Sequence, residues 1–259
     1  MTIRDVANHI EEIAPLQQAE GFDNVGLLIG NYDTKVKGVL VTLDTLEDTV
    51  DEAIKSNCNL IVSFHPIIFS GLKKINGNSY VERVVLKAIQ NDIAIYATHT
   101  ALDNSKVGVS AKMCEVLGLQ NSKILIPKNE EHVGMGMIGE LSEAMKEEDF
   151  LNYVKMTFNT DCVRHSEKLS KSIKKVAVLG GSGSFAISNA IDEIADAYIS
   201  ADFKYHDFFR AEGKILLADV GHYESEQFTK NLLVEYLTKK FTSFAVILSE
   251  KSTNPIYYI

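Results

Sequence analysis

Apolar residues recur along the chain with the spacing of helices and strands in turn. Ile3, Val6, Ala7, Ile10, Ile13 and Ala14 share one helical face behind a capping Thr2, and Pro15 closes the segment. After a glycine-bounded loop from Gly21 to Gly30, the run Val36–Leu43 predicts a strand ending at Asp44. Thr45 then caps a second amphipathic helix through Leu46, Val50, Ala53 and Ile54. Leu60–Ser63 predicts a short, wholly apolar strand, and a loop follows from Phe64 to Asn78. Val81, Val84, Val85, Ala88 and Ile89 mark a helix, Ile93–Thr98 a strand, and Ser110–Leu117 a helix stopped by Gly118. Near-continuous apolar strands alternating with helices predict a sheet with parallel strands, covered on both faces.

Ile124–Glu131, with Pro127 and mixed charges, reads as a linker. Beyond it, Gly134–Leu141 predicts a strand and Glu147–Phe158 a helix with Phe150, Leu151, Val154 and Phe158 on one face. The polar stretch His165–Lys175 predicts an exposed loop. Strands follow at Val176–Leu179, Ala197–Ser200, Ile215–Asp219 and Ala245–Leu248, and helices at Ala186–Ala195, Tyr205–Glu212 and Glu224–Phe241. Two α/β units, residues 1–126 and 127–259, fit this alternation better than one sheet of roughly ten strands. Each is expected to be a sheet covered by helices on both faces. The apolar tail NPIYYI is expected to dock, with room to pack back on the first unit.

Composition narrows the class. The 259 residues are 46% apolar and 24% charged, which excludes intrinsic disorder. Lys and Arg number 26 against 35 acids, a net charge of −9. That balance disfavours generic nucleic-acid or membrane binding, which needs a basic face. No apolar run reaches the roughly 20 residues of a membrane helix, and the early acids of MTIRDVANHIEEIAP do not suit a signal peptide. Cys58, Cys114 and Cys162 are odd in number and lie outside any CxxC pair. The expectation is a cytoplasmic protein with reduced thiols.

Open α/β sheets place their sites beyond the carboxyl ends of strands, and four of the seven histidines follow apolar strands. LIVSFHP ends in His65, IAIYATHTALD brings His99 with Asp103 four residues on, AYISADFKYHD brings His206, and KILLADVGHYESE brings His222 with Glu226 four residues on. A lone histidine after a strand is more often a rim residue than a ligand. Two His-x-x-x-acid pairs are a stronger signal. They combine imidazole and carboxylate, the mix that suits Zn, Mn or Fe rather than calcium, and positions i and i+4 of a helical turn share a face. Asp103 and Glu226 are also suited to bridging two metals. GGSGS at 180–184 follows a strand and opens a helix, where backbone N–H groups could cradle an anion. A tight turn explains it equally well, since it lacks the full dinucleotide fingerprint and the P-loop Lys-Ser/Thr.

Five segments, taken together, resemble the Nif-three-like family, also named GTP cyclohydrolase I type 2 homologues. They are GFDNVGLLIG at 21–30, LIVSFHPIIFSGLKKI at 60–75, HTALDN at 99–104, GGSGS at 180–184 and DVGHYESEQF at 219–228. They span nearly the whole chain in family order. The short stretch 126–175 implies the compact form, without the middle domain that longer members insert.

The resemblance implies two α/β domains with a metal crevice between them, a dinuclear metal centre and a ring-shaped homohexamer. Apolar PIIFSG after His65 and the NPIYYI tail are candidates for subunit contacts. It also implies the ligands His65, Asp103, His222 and Glu226, with up to two divalent ions (Zn, Mn or Fe) per chain. Phe64 stands where the family has the first of two adjacent histidines. A phenyl ring cannot coordinate, so the second metal position is expected to be weakened. The implied activity is hydrolytic opening of the guanine imidazole ring of GTP, with a metal-activated water attacking purine C8. His99 or His206 would move protons, because imidazole titrates near neutral pH. A metal-dependent hydrolase of another small nucleotide or metabolite, and a non-catalytic metal-binding or regulatory scaffold, are the competing readings.

Overall fold

The computed structural model describes residues 1–128 and 132–259. The chain begins with α1 (Ile3–Glu11), β1 (Gly26–Ile29), β2 (Gly38–Thr42), α2 (Glu47–Lys55), β3 (Leu60–Ser63), α3 (Tyr80–Gln90) and β4 (Ala94–Ala97). It continues through a short α4 (His99–Asp103), α5 (Val109–Val116), β5 (Gln120–Pro127), β6 (Gly134–Lys146) and α6 (Glu147–Thr157). Then come β7 (Arg164–His165), β8 (Ser172–Ser182), α7 (Ile187–Asp192), β9 (Ala197–Ala201), β10 (Leu216–Asp219), α8 (His222–Glu226), α9 (Thr229–Lys240) and β11 (Ala245–Leu248). Among the described residues no helix is long and apolar enough to cross a membrane.

Two compact units form. The first holds Met1–Leu102 together with Thr229–Pro255, the second Asp103–Phe228 with Ile256–Ile259. The boundary expected near residue 126 is therefore displaced at both ends. The physical reason lies in strand pairing: β11 joins the first sheet by parallel bonds to β2, while β5 pairs with β6 in the second.

The first sheet has the order β1-β4-β3-β2-β11. Its last four strands are parallel, and β1 runs antiparallel along the edge at β4. Leu40, Ile61 and Ile95 are register partners and pack with Val50 and Ala53 of α2 and Val84 and Ala88 of α3. The pleat sends alternate side chains the other way. There Tyr96 reaches Glu11 of α1, its hydroxyl donating to Oε1 at 3.0 Å.

The second sheet has the order β5-β6-β8-β9-β10-β7, with β8, β9 and β10 parallel and the remaining pairs antiparallel. Val176, Val178 and Ile199 pack with Met113 of α5 and Phe150 and Val154 of α6. Ala177, Tyr198 and Leu217 pack on the other face with Ile187 and Ala190 of α7. Both sheets are thus covered on both faces, in a mixed α/β fold. Each fully buried aliphatic or phenyl side chain contributes roughly 1.5–3 kcal/mol, which makes the two sheets rigid supports for what projects from their strand ends.

Several local readings are corrected. The loop from Gly21 to Gly30 contains β1, and the proposed linker Ile124–Glu131 overlaps the edge strand β5, while residues 129–131 lie outside the described residues. The loop at His165–Lys175 holds β7 and the start of β8. The predicted helix Tyr205–Glu212 is a 3-10 segment, Tyr205–Ala211, and Glu224–Phe241 is covered by two helices, α8 and α9. GGSGS does not sit wholly in a turn, because β8 runs through Ser182. In the tail Thr253 is buried, whereas Ile256–Ile259 are exposed.

Candidate functional site

The backbone ladder of the first sheet continues past its strand ends. Phe64 N donates to Thr42 O, His65 N to Leu43 O, Thr98 N to Ser63 O and His99 N to Phe64 O, at 2.9–3.1 Å. Adjacent parallel strands therefore deliver His65 and His99 side by side. Their rings meet nearly edge to face, with centroids 5.3 Å apart and planes at 65°. Phe64, the residue before His65, is fully buried against both rings, its centroid 4.9 Å from His65 and 5.6 Å from His99.

A carboxylate orients each imidazole. His65 Nδ1 lies 2.9 Å from Asp44 Oδ1, and Thr253 donates its hydroxyl to the other oxygen of Asp44. His99 Nδ1 lies 2.8 Å from Asp23 Oδ1, while Asp23 Oδ2 accepts from the amide and hydroxyl of Thr100. Burial opposes the charge of Asp23, but the His99 and Thr100 hydrogen bonds outweigh it and bring its pKa down to about 2. A carboxylate at Nδ1 calls for a proton there, so the neutral ring carries its lone pair on Nε2.

The second unit carries a matching group. Gly221, at φ 94, turns the chain from β10 into α8. His222 and Glu226 then share one face of that single turn, with Nε2 3.2 Å from Oε2. His222 Nδ1 lies 2.8 Å from Asp202 Oδ2, just past the end of β9, and Ser182 donates to the same oxygen. Burial would hold the imidazolium down, but Asp202 and Glu226 override it and push His222 up to about 11. The His222 hydrogen bond, against burial, lowers Asp202 to about 2. Glu226 is only 3% exposed. Gly181 of β8 makes room for its carboxylate, since a Cβ there would stand 2.4 Å from Glu226 Oε1 and 3.3 Å from His222 Cε1.

The donor chemistry fits a divalent transition metal. Imidazoles with supporting carboxylates on Nδ1 are how metal-ligating histidines are held, and an ion at His222 would replace the proton that Asp202 and Glu226 keep on its ring. Imidazole with carboxylate suits Zn, Mn or Fe. Asp103 is half-buried at the end of α4, four residues after His99. His206 is placed differently, exposed on the 3-10 segment against the rings of Tyr205 and Phe209. The glycines of GGSGS are explained by protein contacts. Gly180 faces Val109, Gly181 faces Glu226, and a Cβ on Gly183 would stand 1.9 Å from Ser200 Oγ.

The orienting acids Asp23, Asp44 and Asp202 were not singled out from the sequence. Two of them carried a signal, for Asp44 and Asp202 follow predicted apolar strands as closely as the histidines do. Asp23 lies in a polar loop and carried none.

A model of the family described as Duf34/NIF3 (NGG1p interacting factor 3) matches residues 1–255. The chain belongs to this family. Among its relatives, the Clostridium acetobutylicum protein named GTP cyclohydrolase 1 type 2 homolog is 34% identical over 231 residues, 87% of this chain and 85% of that one. The crystal structure of Staphylococcus aureus SA1388 matches with a TM-score of 0.94 at 30% identity, covering 100% of this chain and 99% of the other. A Bacillus cereus protein related to NIF3 gives 0.92 at 26%, with the same coverage. The resemblance read from the five sequence segments is thus a DUF34/NIF3 membership that extends over the fold.

Proposed function

We propose that this protein is a metal-dependent hydrolase acting on a small nucleotide, and that His65, Asp103, His222 and Glu226 belong to one metal centre to which both units contribute. The observation that carries the reading is the repeated pairing of strand-end imidazoles with carboxylates: His65 with Asp44, His99 with Asp23, His222 with Asp202. Surface histidines have no need of such orientation, and metal ligands do. The relatives' name, GTP cyclohydrolase 1 type 2 homolog, supports a purine nucleotide as substrate and ring-opening hydrolysis as the reaction.

When bound, a divalent ion there supplies Lewis acidity and makes water nucleophilic near neutral pH. The chain's own residues do the rest. Asp44, Asp23 and Asp202 fix the imidazole orientations, and the buried Glu226 carboxylate balances positive charge. Gly181 keeps the space that carboxylate needs.

The test is to load the full chain with Zn, Mn or Fe(II) and incubate it with a panel of purine and pyrimidine nucleotides that includes GTP. Chromatography and the loss of purine absorbance report turnover. Hydrolysis that depends on the ion and disappears in Glu226→Gln supports the proposal. Bound ions without turnover across the panel would leave a non-catalytic metal-binding scaffold as the better reading.

A further inference from the structure

We infer that a recess beside His65 receives the flat heterocycle of the substrate, stacked on Tyr80, and leaves the phosphates outside. The inference rests on the nucleotide reading above and says which end of the nucleotide meets which residues.

The recess lies within the first unit and has a volume of about 430 Å³, inside the roughly 300–1,000 Å³ range of small-molecule sites. Its walls come from stretches far apart in the chain. Leu46 opens α2, Pro66 and Ile67 follow His65, Tyr80 begins α3, and Pro255 belongs to the tail. All five are apolar or aromatic. His65 and its orienting Asp44 line the same recess, so a ring lodged there lies against one imidazole of the proposed centre.

The charge of the lining decides which part of a nucleotide fits. Among the described residues that line the recess there is no lysine or arginine, and Asp44 brings negative charge. Both α2 and α3 begin here, but their first turns already carry Glu47, Asp48 and Glu82. The positive helix ends are therefore met by carboxylates. A phosphate needs cations or free N–H groups and is repelled, whereas an uncharged base enters an apolar slot at little cost.

Tyr80 and Thr45 give the slot its selectivity. Tyr80 is 55% exposed, although its backbone is fixed in the first turn of α3 behind the Ser79 cap, whose hydroxyl accepts from Glu82 N at 3.2 Å. A rigidly placed, uncovered ring is a stacking platform for any base. Thr45 lines the recess and is 2% exposed, and its hydroxyl finds no hydrogen-bond partner among the described residues. A buried hydroxyl left that way is costly, and it can donate or accept. The polar edge of a base would supply the partner it lacks. The Thr253 hydroxyl meanwhile ties the tail to Asp44, which sets the Pro255 wall before any ligand arrives.

The test titrates the full chain with GTP and with guanosine. Binding is followed by calorimetry and saturation-transfer NMR, with chelator to prevent turnover and again with added Zn. Tyr80→Ala should weaken both probes by the same roughly 10–100-fold, because the ring they share is what stacks. Tyr80→Phe keeps the platform and should bind like the natural chain. Tyr205→Ala, which removes an exposed ring from the second unit, is the control and should also match it. Thr45→Val removes a hydroxyl that has no partner, so it should not lower the melting temperature. It should nevertheless weaken guanosine more than purine riboside, whose ring lacks the exocyclic polar groups. Equal GTP affinity in Tyr80→Ala and the natural chain would overturn the inference and leave the nucleotide reading standing. A Tyr80→Ala chain that changes mass in light scattering but not affinity would overturn it too, and make the ring a contact between copies. If the natural chain binds neither probe, with or without Zn, the nucleotide reading fails and the inference falls with it.

Discussion

Asp202 Oδ2 stands 2.8 Å from His222 Nδ1. The carboxylate thereby holds a proton on Nδ1 and leaves Nε2 facing Glu226 Oε2 at 3.2 Å. Asp202→Asn keeps the size and loses the charge, so the fold should survive while divalent-metal affinity falls by roughly 10–100-fold. Calorimetric titration of the two proteins with Zn checks this, and equal dissociation constants would remove Asp202 from the site.

Gly181 separates backbone strain from ligand placement. It sits at φ +69 with Glu226 Oε1 2.4 Å from where a Cβ would be, whereas Gly213, at φ +66, has nothing within 4 Å of that position. Alanine at either should cost about 1–2 kcal/mol for the left-handed backbone. Only Gly181→Ala should also weaken metal binding, because its methyl must push the carboxylate away. Chemical denaturation and metal titration of both variants read the two effects apart.

An ion that binds the folded chain alone raises its stability by mass action, about 2.7 kcal/mol when free metal is 100 times the dissociation constant. Added Zn or Mn should therefore raise the melting temperature and a chelator should reverse the rise. Coincident melting curves at equal protein concentration would deny the ion any part in stability.

Burial pushes the Cys114 thiol up to about 12, and burial with nearby Glu52 pushes Cys58 up to about 11. Thiolate is the reactive form, so neither should react in the native protein at pH 8. Cys162 is half-buried. A colorimetric thiol titration should find one reactive group natively and three in denaturant, and fast native labelling of two or more would contradict this placement.

The hexamer implied by the family resemblance is tested by light scattering. The expected mass is six times the 28.7 kDa of one chain, stable over a wide concentration range. A constant single-chain mass would reject the closed ring.

What the sequence made legible was local and apolar. Leu60–Ser63 and Ala245–Leu248 are legible as strands with the bounds the structure gives them, because short apolar runs rich in Val, Ile and Leu fit a buried strand. The edge strands were harder. β1 lies among glycines, and the first four residues of β5 are exposed, so neither offers alternation or a full apolar run. That β11 pairs with β2 could not be read locally either, since some two hundred residues of chain separate them and pairing of that range leaves no periodic trace. At the candidate site, His65, His99 and His222 were visible as strand-end residues. Asp23 was not, because its relation to His99 exists only after a loop from early in the chain reaches the end of β4.

The pairing of β11 with β2 bears on how the protein is made. Asp103–Phe228 is continuous in sequence and contains all six strands of its sheet, so that sheet can form while the ribosome is still adding residues. The first sheet is different. Until Ala245–Leu248 emerges, β2 presents an open row of backbone donors and acceptors along one side. Of the two sheets, the one begun first is therefore completed last, and for most of translation its unfinished edge is the place where a nascent chain is exposed to wrong pairing or to a chaperone's grip.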